Sequence, residues 1–312
     1  MRSGSRRRPR VARPRSRLLL LGLAAAGCAA PAPPVALPGR EPAELVPRAR
    51  LEGRAARETS GIVRSRQWPA LYWVHNDSGD EPRLYPIDRD GKVNVAAREG
   101  RPDGVLLGGA TNVDWEDITT DAAGHLIVAD VGNNYNNRRD LVLYYLDEPS
   151  PTAGFTTVKK KVFLRYPEQA VFPAPLDDFN YDSEAVFTRG DTVYLLTKHR
   201  SDRRTRLYRL DDPRPHETNL LTRVGEFEIG GKVTGADASP DGRELAVVTY
   251  DAVWLFTAHA GDDYFGGEVR WMPFRAPQVE GVCFDSPGLL LLSDEEAGAL
   301  YEVPVEALTR LR

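Results

Sequence analysis

The feature of this sequence that most constrains its fold is a strand pattern that occurs five times between residues 51 and 312. Each copy starts with a short apolar strand, at 61–63, 117–119, 185–187, 235–237 and 281–283. A second strand follows at 71–74, 126–129, 193–196, 245–248 and 289–292, and a third at 83–85, 141–144, 206–209, 253–256 and 300–303. The glycines and aspartates between these runs supply the backbone angles of tight turns. The pattern therefore indicates repeated β-hairpin units.

The shared internal order predicts an all-β protein, a β-propeller with five four-stranded blades. More polar fourth strands are expected at 93–98, 158–166, 220–229 and 267–274. The fifth copy lacks one, so we expect residues 50–57 to supply it and close the ring, which leaves no unpaired sheet edge. A sixth blade would fit if residues 150–182 held a degenerate unit. A β-sandwich would use as many strands but would not require five copies in one order.

The N-terminal residues have the pattern of an export signal. Residues 1–27 hold eight arginines and no acid, and end in ten apolar or small residues before Cys28. Such a run is too short to span a bilayer as a helix, which takes about 20 residues, but suits a signal peptide. The order Ala-Ala-Gly-Cys resembles the bacterial lipoprotein signal, which implies a lipidated Cys28, membrane attachment and a cell-envelope location. Ordinary secretion, with cleavage at an alanine, is the alternative.

The signal divides the chain into three parts, 1–27, a Pro/Ala-rich tether at 28–50 and the propeller at 51–312. Proline-rich segments of this kind are extended spacers. Only two cysteines occur, so no disulfide framework is expected. Cys283 lies in an apolar strand, where we expect a buried, unreactive thiol.

Charge is unevenly distributed along the chain. The whole sequence has 41 basic and 45 acidic residues, a net charge of −4. Without the eight arginines of the signal, 33 basic residues remain against the 45 acidic ones. This acidity disfavours nucleic acid as a partner.

Oxygen-bearing side chains occur at one position of the repeat, just before each first strand. They are Ser60, Glu116, Glu184, Thr234 and Glu280. Because the first strand of each propeller blade lines the central channel, these side chains are expected to converge there. Carboxylates that face one another repel unless a cation or a proton neutralises them, and Ca²⁺ takes about 6–8 oxygen ligands in flexible geometry. We therefore predict a Ca²⁺ site, although each oxygen could instead cap a strand or hold a turn.

The order Ser, Glu, Glu, Thr, Glu resembles the five-bladed calcium-activated nucleotidases of the apyrase family. That resemblance implies a channel calcium held by these five residues, with Thr234 in place of a serine. The sequences around 59–62, 75–80 and 114–118 also resemble secreted bacterial propellers that are grouped loosely with phytase-like propellers. This second resemblance implies a fold rather than an activity.

Further polar residues near the ends of the second strands are candidates for ligand binding at the same channel mouth. They are Asp77, Asp130, Arg138, Lys198, His199 and Asp294. Two functions fit this pattern. The first is a calcium-binding module or scaffold at the cell envelope, with an envelope protein as partner. The second is a calcium-dependent phosphohydrolase, because calcium can polarise a phosphoryl oxygen and Arg and Lys can bind phosphate. The substrate would then be a small phosphorylated molecule.

Overall fold

The computed structural model describes Met1, residues 35–93 and residues 104–312, and these residues form five blades of four antiparallel strands each. From the axis outward, the strands are Thr59–Arg64, Leu71–Asn76, Arg83–Asp88 and Val105–Gly108 in blade 1; Trp115–Thr120, His125–Asp130, Val142–Asp147 and Lys160–Arg165 in blade 2; Ser183–Arg189, Thr192–Thr197, Arg204–Leu210 and Thr222–Glu228 in blade 3; Val233–Ala238, Glu244–Thr249, Ala252–Thr257 and Glu268–Arg275 in blade 4; and Val279–Ser286, Leu289–Asp294, Ala299–Pro304 and Ala49–Arg50 in blade 5.

The innermost strands contact one another in cyclic order. Blade 1 contacts blade 2 and so on around the ring, and the inner strand of blade 5 contacts that of blade 1 again. This closed cycle confirms the predicted five-bladed β-propeller. The segment 150–182, considered as a sixth blade, holds the fourth strand of blade 2, a short strand at Phe155–Thr157 and a 3-10 helix at Leu176–Asp178.

The ring is closed by a strand from the N-terminal side of the repeats, as predicted, but the strand is shorter and earlier than expected. Ala49–Arg50 pairs antiparallel with Ala299–Pro304. The rest of the predicted segment 50–57 does not continue this strand, because Gly53–Ala56 turns into a 3-10 helix. Two short strands within the predicted tether thus pair with the propeller, because Ala43–Glu44 also lies parallel to the outer strand of blade 4.

The fourth strand of blade 1 also differs from the prediction at 93–98. Val93 forms only a single bridge with Ile87, and residues 94–98 lie outside the described residues. The fourth position is taken by Val105–Gly108, which pairs with Arg83–Asp88. Three short strands extend blades at the outside: Phe155–Thr157 on blade 1, Thr218–Leu220 on blade 2 and Thr309–Arg310 on blade 4. A third 3-10 helix spans Val305–Ala307.

The hydrophobic core lies between neighbouring blades. Five clusters of buried side chains each combine residues of two adjacent blades. Because both faces of a blade are covered, its middle strands are apolar without alternation, and Leu290, Leu291 and Leu292 are all buried. Cys283 is fully buried between blades 5 and 1, as expected for an inert thiol. Among the described residues, no helix is long and apolar enough to cross a membrane.

Candidate functional site: an acidic channel mouth

One mouth of the central channel contains a small cavity of about 150 Å³ that is lined almost entirely by polar side chains. Its lining residues are Ser60, Asp77, Glu116, Asn134, Glu184, Lys198, Tyr250, Gln278, Glu280 and Glu295. Asp114 and Asp182 lie within 4.8 Å of carboxylates in this lining. We call these twelve residues the acidic mouth.

Two positions of the repeat supply most of the acidic mouth. The first is the second residue of each inner strand, which gives Ser60, Glu116, Glu184 and Glu280. The second is the residue that directly follows the second strand, which gives Asp77, Lys198, Tyr250 and Glu295. The second strand runs antiparallel to the inner strand, so it ends where the inner strand begins. The two positions therefore meet at the same end of the channel in each blade.

Glu116 is the hub of the acidic mouth. One of its carboxylate oxygens belongs to a group with Asp77 and Asp114, and one to a group with Asp182 and Glu184, with all ligand atoms of each group within 4.8 Å of one another. Glu116 is only 4% exposed. Among the described residues, no hydrogen-bond donor or ion-pair partner contacts its carboxylate. Burial, followed by repulsion from Glu184, raises the pKa of Glu116 well above its usual range.

Room for this carboxylate depends on a glycine of the neighbouring loop. A Cβ atom on Gly132 would lie 2.1 Å from a Glu116 carboxylate oxygen and 2.5 Å from the Asp114 carboxyl group. These distances are far below any ordinary contact, so a side chain at residue 132 would displace both acids. The absence of a side chain there keeps Glu116 and Asp114 together.

One cation, Lys198, lines the described part of the cavity. Its Nζ lies 2.8 Å from the Glu184 carboxylate, and both side chains are buried. Burial alone would lower the pKa of Lys198, but Glu184 and the more distant Glu280 raise it above its usual value. Burial raises the pKa of Glu184 to about 8. Lys198 therefore stays charged and offsets part of the negative charge of the acidic mouth.

Blade 5 contributes two acids that share one amide. Gln278 Nε2 donates a hydrogen bond to Glu280 Oε1 at 2.9 Å and another to Glu295. Glu280 is 5% exposed, and its Oε2 is buried without a hydrogen-bond partner. Burial, followed by repulsion from Glu280, raises the pKa of Glu295 to about 8. Glu280 thus offers the cavity an unpartnered oxygen.

The two hydroxyl groups predicted for the ring make different contacts. Ser60 lines the cavity, and its Oγ donates to the Glu116 backbone carbonyl at 2.6 Å. Thr234 does not line it, because its Oγ1 donates to the Val279 carbonyl at 2.8 Å and joins blade 4 to blade 5. The structure therefore brings four of the five predicted ring residues into the cavity.

Of the six further candidates, Asp77 and Lys198 line the cavity. Asp130 accepts hydrogen bonds from backbone N–H groups of the preceding loop and pairs with Arg138 at 2.8 Å. Asp294 likewise accepts N–H bonds from Gln278 and Ala297. His199 is buried, with Nδ1 2.6 Å from Asp202. Asp130, Arg138, Asp294 and His199 are thus placed beside the acidic mouth, where they hold loops.

Three further residues of the acidic mouth, two acids and one amide, stand at a fixed distance from the ring position in the sequence. Asp114, Asp182 and Gln278 each stand two residues before a ring glutamate. Because strand side chains alternate with a period of two, residues i and i−2 point the same way. Extending the ring position by two residues would have found all three.

Below the acidic mouth a fully buried acid, Asp117, lies among the inner strands. The Asp117 carboxylate accepts N–H bonds from Ile118 and from Val186 of blade 3, at 2.8 and 2.9 Å, and a longer one at 3.4 Å from Ala236 of blade 4. These bonds tie three inner strands together. The acidic mouth is therefore separated from the other end of the channel.

Comparisons with known proteins give no family. No family model matches this chain, and no curated protein does. Among solved structures, the chain is similar to a virginiamycin B lyase from Staphylococcus aureus (12% identity, TM-score 0.41, 79% of this chain and 66% of that one). It is also similar to a chain of a mitotic checkpoint complex (12% identity, TM-score 0.37, 78% and 62%). The chain thus spans less than two thirds of the length of each of these two solved chains. The fold assignment rests on the sheet topology described above.

Proposed function

We propose that this protein is a Ca²⁺-binding propeller whose ion sits in the acidic mouth, with Glu116 as the central ligand. The observation that supports it most is the unpartnered Glu116 carboxylate, which two groups of acids share. A buried carboxylate without a partner is costly, and it is relieved by a proton or by a cation. A divalent cation would relieve both acid groups at once, whereas a proton neutralises a single carboxylate.

The chemistry of the available ligands favours calcium among the divalent cations. The acidic mouth offers carboxylate, amide and hydroxyl oxygens, and it contains no histidine or cysteine. Zinc favours nitrogen and sulfur ligands, and Mg²⁺ favours a tight octahedral set with several waters. Ca²⁺ accepts about 6–8 oxygens at variable geometry, which suits acids from different blades.

The role that we propose is binding rather than catalysis. A calcium held by Glu116 would keep open positions toward the 150 Å³ cavity, where oxygens of a partner protein or ligand could coordinate it. A phosphohydrolase would also need free cations for substrate phosphates. Lys198, Arg138 and Arg200 are all paired with buried acids, at 2.8, 2.8 and 2.7 Å. Because these cations are already paired, the hydrolase function has less support than the binding function. Hydrolysis of any compound in a phosphoester panel with Ca²⁺ present would favour the hydrolase instead.

Thermal unfolding with and without Ca²⁺ tests the proposal. A ligand at 100 times its Kd stabilises the folded state by about 2.7 kcal/mol, which for a domain of this size raises Tm by about 5 °C. We expect this rise in the chelator-treated protein and none in Glu116→Gln. Glu228→Gln is the matched control, because Glu228 is exposed and makes no ion pair in the described structure. Equal Ca²⁺ shifts in all three proteins would refute the site.

We propose further that the protein is exported and anchored through Cys28, which lies outside the described residues. The support is the sequence of residues 1–28 alone. If the proposal holds, the acidic mouth faces an extracytoplasmic space, where it meets more calcium than cytosolic proteins do.

A further inference from the structure

The opposite mouth of the channel holds a second, larger cavity of about 410 Å³. It lies where the inner strands end, and Arg64, Thr120 and Ala238 are the last residues of the inner strands of blades 1, 2 and 4. The bonds of Asp117 to three inner strands lie between this cavity and the acidic mouth. The two cavities are therefore separate sites.

Two arginines give this cavity a charge opposite to that of the acidic mouth. Arg64 lines it, is exposed, and has no ion pair or hydrogen bond through its guanidinium in the described part of the chain. Arg66 also lines it and uses Nη2 to donate to the Thr120 carbonyl at 3.2 Å, which leaves its other donors available. Guanidinium groups bind carboxylates in planar, two-bonded geometry.

One acid, Asp237, lies in the same cavity. Its Oδ2 accepts a hydrogen bond from the Phe284 N–H at 2.8 Å, which fixes the carboxyl group against blade 5. Burial raises the pKa of Asp237 to about 7, and nearby Arg66 acts in the opposite direction. Near neutral pH this carboxyl group is therefore only partly ionised. It does not cancel the charge of both arginines.

The rest of the wall is mixed, with the hydroxyl residues Ser65 and Thr120 and five apolar residues. Val63 and Phe284 line the cavity, together with Ala238 and two prolines. Small-molecule sites typically have volumes of about 300–1,000 Å³ and combine apolar walls with a few polar groups that orient the ligand. This cavity has that composition, and its cationic groups are the two guanidinium groups of Arg64 and Arg66.

We propose that this mouth binds a small organic acid, a carboxylate with an aromatic or aliphatic body, through Arg64 and Arg66. The carboxylate pairs with the guanidinium groups while the body packs on Val63 and Phe284. This inference does not depend on calcium, because the Asp117 contacts separate the two mouths.

Fluorine NMR of the full chain with matched probes tests the inference. The probes are 4-trifluoromethylbenzoate, the neutral 4-trifluoromethylbenzyl alcohol and the cationic 4-trifluoromethylbenzylamine. We expect the benzoate to bind at least ten-fold more tightly than the other two. Equal binding of the three probes, or no binding of the benzoate, would overturn the proposal.

Three variants locate the binding. Arg64→Gln should weaken benzoate binding at least ten-fold, and the fold should tolerate it because the Arg64 side chain is exposed and its guanidinium makes no hydrogen bond or ion pair within the described residues. Asp237→Asn should tighten binding, since it removes the residual negative charge and keeps an oxygen for the Phe284 N–H. Arg57→Gln, which removes an exposed arginine outside this cavity, should change nothing. Unchanged affinity in Arg64→Gln would place the benzoate elsewhere and contradict the inference.

Discussion

Glu116 shows how a single residue can determine the chemistry of a site. Its neighbours within ligand distance are all acids, and its exposed fraction is 4%. Carboxylates at such distances repel one another when they are ionised, unless a positive charge offsets the repulsion. Burial, followed by repulsion from neighbouring carboxylates, raises the pKa values of Asp114, Glu116 and Glu184.

The raised pKa values predict how stability depends on pH in the calcium-free protein. Burial raises the pKa of Asp114 to about 6 and of Glu184 to about 8, against ordinary values near 4. The folded protein then binds more protons than the unfolded chain across this range, so stability falls as pH rises. We expect Tm in chelator to drop between pH 5.5 and pH 8.5, and Ca²⁺ to suppress the drop.

A control separates this effect from other titrating groups. Asp237, at the other mouth, also has a raised pKa, so part of the pH dependence is independent of the acidic mouth. Glu116→Gln should therefore flatten the Tm profile in chelator without abolishing it. A profile that is identical in wild type and Glu116→Gln would contradict the assignment of the charge cost to this hub.

The site residues were partly predictable from the repeat. Ser60, Glu116, Glu184 and Glu280 were found because equivalent positions of equivalent strands must face one axis. Asp294 stands one residue before the position that reaches the mouth, which is Glu295. In blade 2 that position is Val131, a core residue, so neither Asp130 nor its neighbour lines the cavity. Asp130 and Asp294 instead accept hydrogen bonds from loop N–H groups. An offset of one residue is decisive in a strand, where successive side chains face opposite sides.

At the level of elements, the strands that were predicted correctly are those with long apolar runs. Strands such as Leu289–Asp294 are covered on both sides by other blades, so their composition alone reveals them. The outer strands are only partly covered, and their sequences are correspondingly mixed. The closing strand has two residues, Ala49–Arg50, which are held by pairing rather than by their own propensity. No local pattern distinguishes such a strand from the tether that precedes it.

The closing strand makes a prediction about truncated chains. A chain that starts at Leu51 loses the pairing with Ala299–Pro304, the Arg48 N–H bond to Leu300 and the Arg48–Glu302 ion pair at 3.0 Å. With a net contribution of about 1 kcal/mol for each backbone hydrogen bond, we expect a loss of about 3 kcal/mol. The unpaired edge should also promote self-association. Thermal unfolding and size-exclusion chromatography measure both effects.

Two longer chains serve as controls for the truncation. A chain that starts at residue 46 keeps Ala49–Arg50 and loses the Ala43–Glu44 strand on blade 4, with the nearby contacts of Arg40 and Leu45. Its Tm should lie close to that of a chain starting at residue 35. If the chains starting at 46 and 51 unfold at the same temperature, the closing strand does not stabilise the ring.

For the whole molecule, the two ends of the channel have opposite character. One mouth gathers carboxylates around Glu116, and the other presents Arg64 and Arg66 beside apolar side chains. The strands of a propeller blade run from one mouth to the other, so a change of residue type along five inner strands is enough to build two unlike sites. The fold alone does not determine either chemistry.

Substitution of Cys28 tests whether the protein is attached to a membrane. If this cysteine carries the lipid, wild-type protein expressed in a bacterium that processes lipoproteins should sediment with membranes, and Cys28→Ser should be soluble. Cys283→Ser is the matched control, because Cys283 is buried in the core and should not affect sedimentation. Membrane association that survives Cys28→Ser would rule out the anchor.

A crystal structure of the calcium-loaded protein is the most direct measurement of the proposed ion site. We expect one density peak in the acidic mouth, with an anomalous signal for calcium, at about 2.3–2.6 Å from a Glu116 carboxylate oxygen. Further ligands should come from the acid groups that share Glu116. A calcium-soaked crystal with water alone at this position, and Glu116 still without a cation, would contradict the proposal.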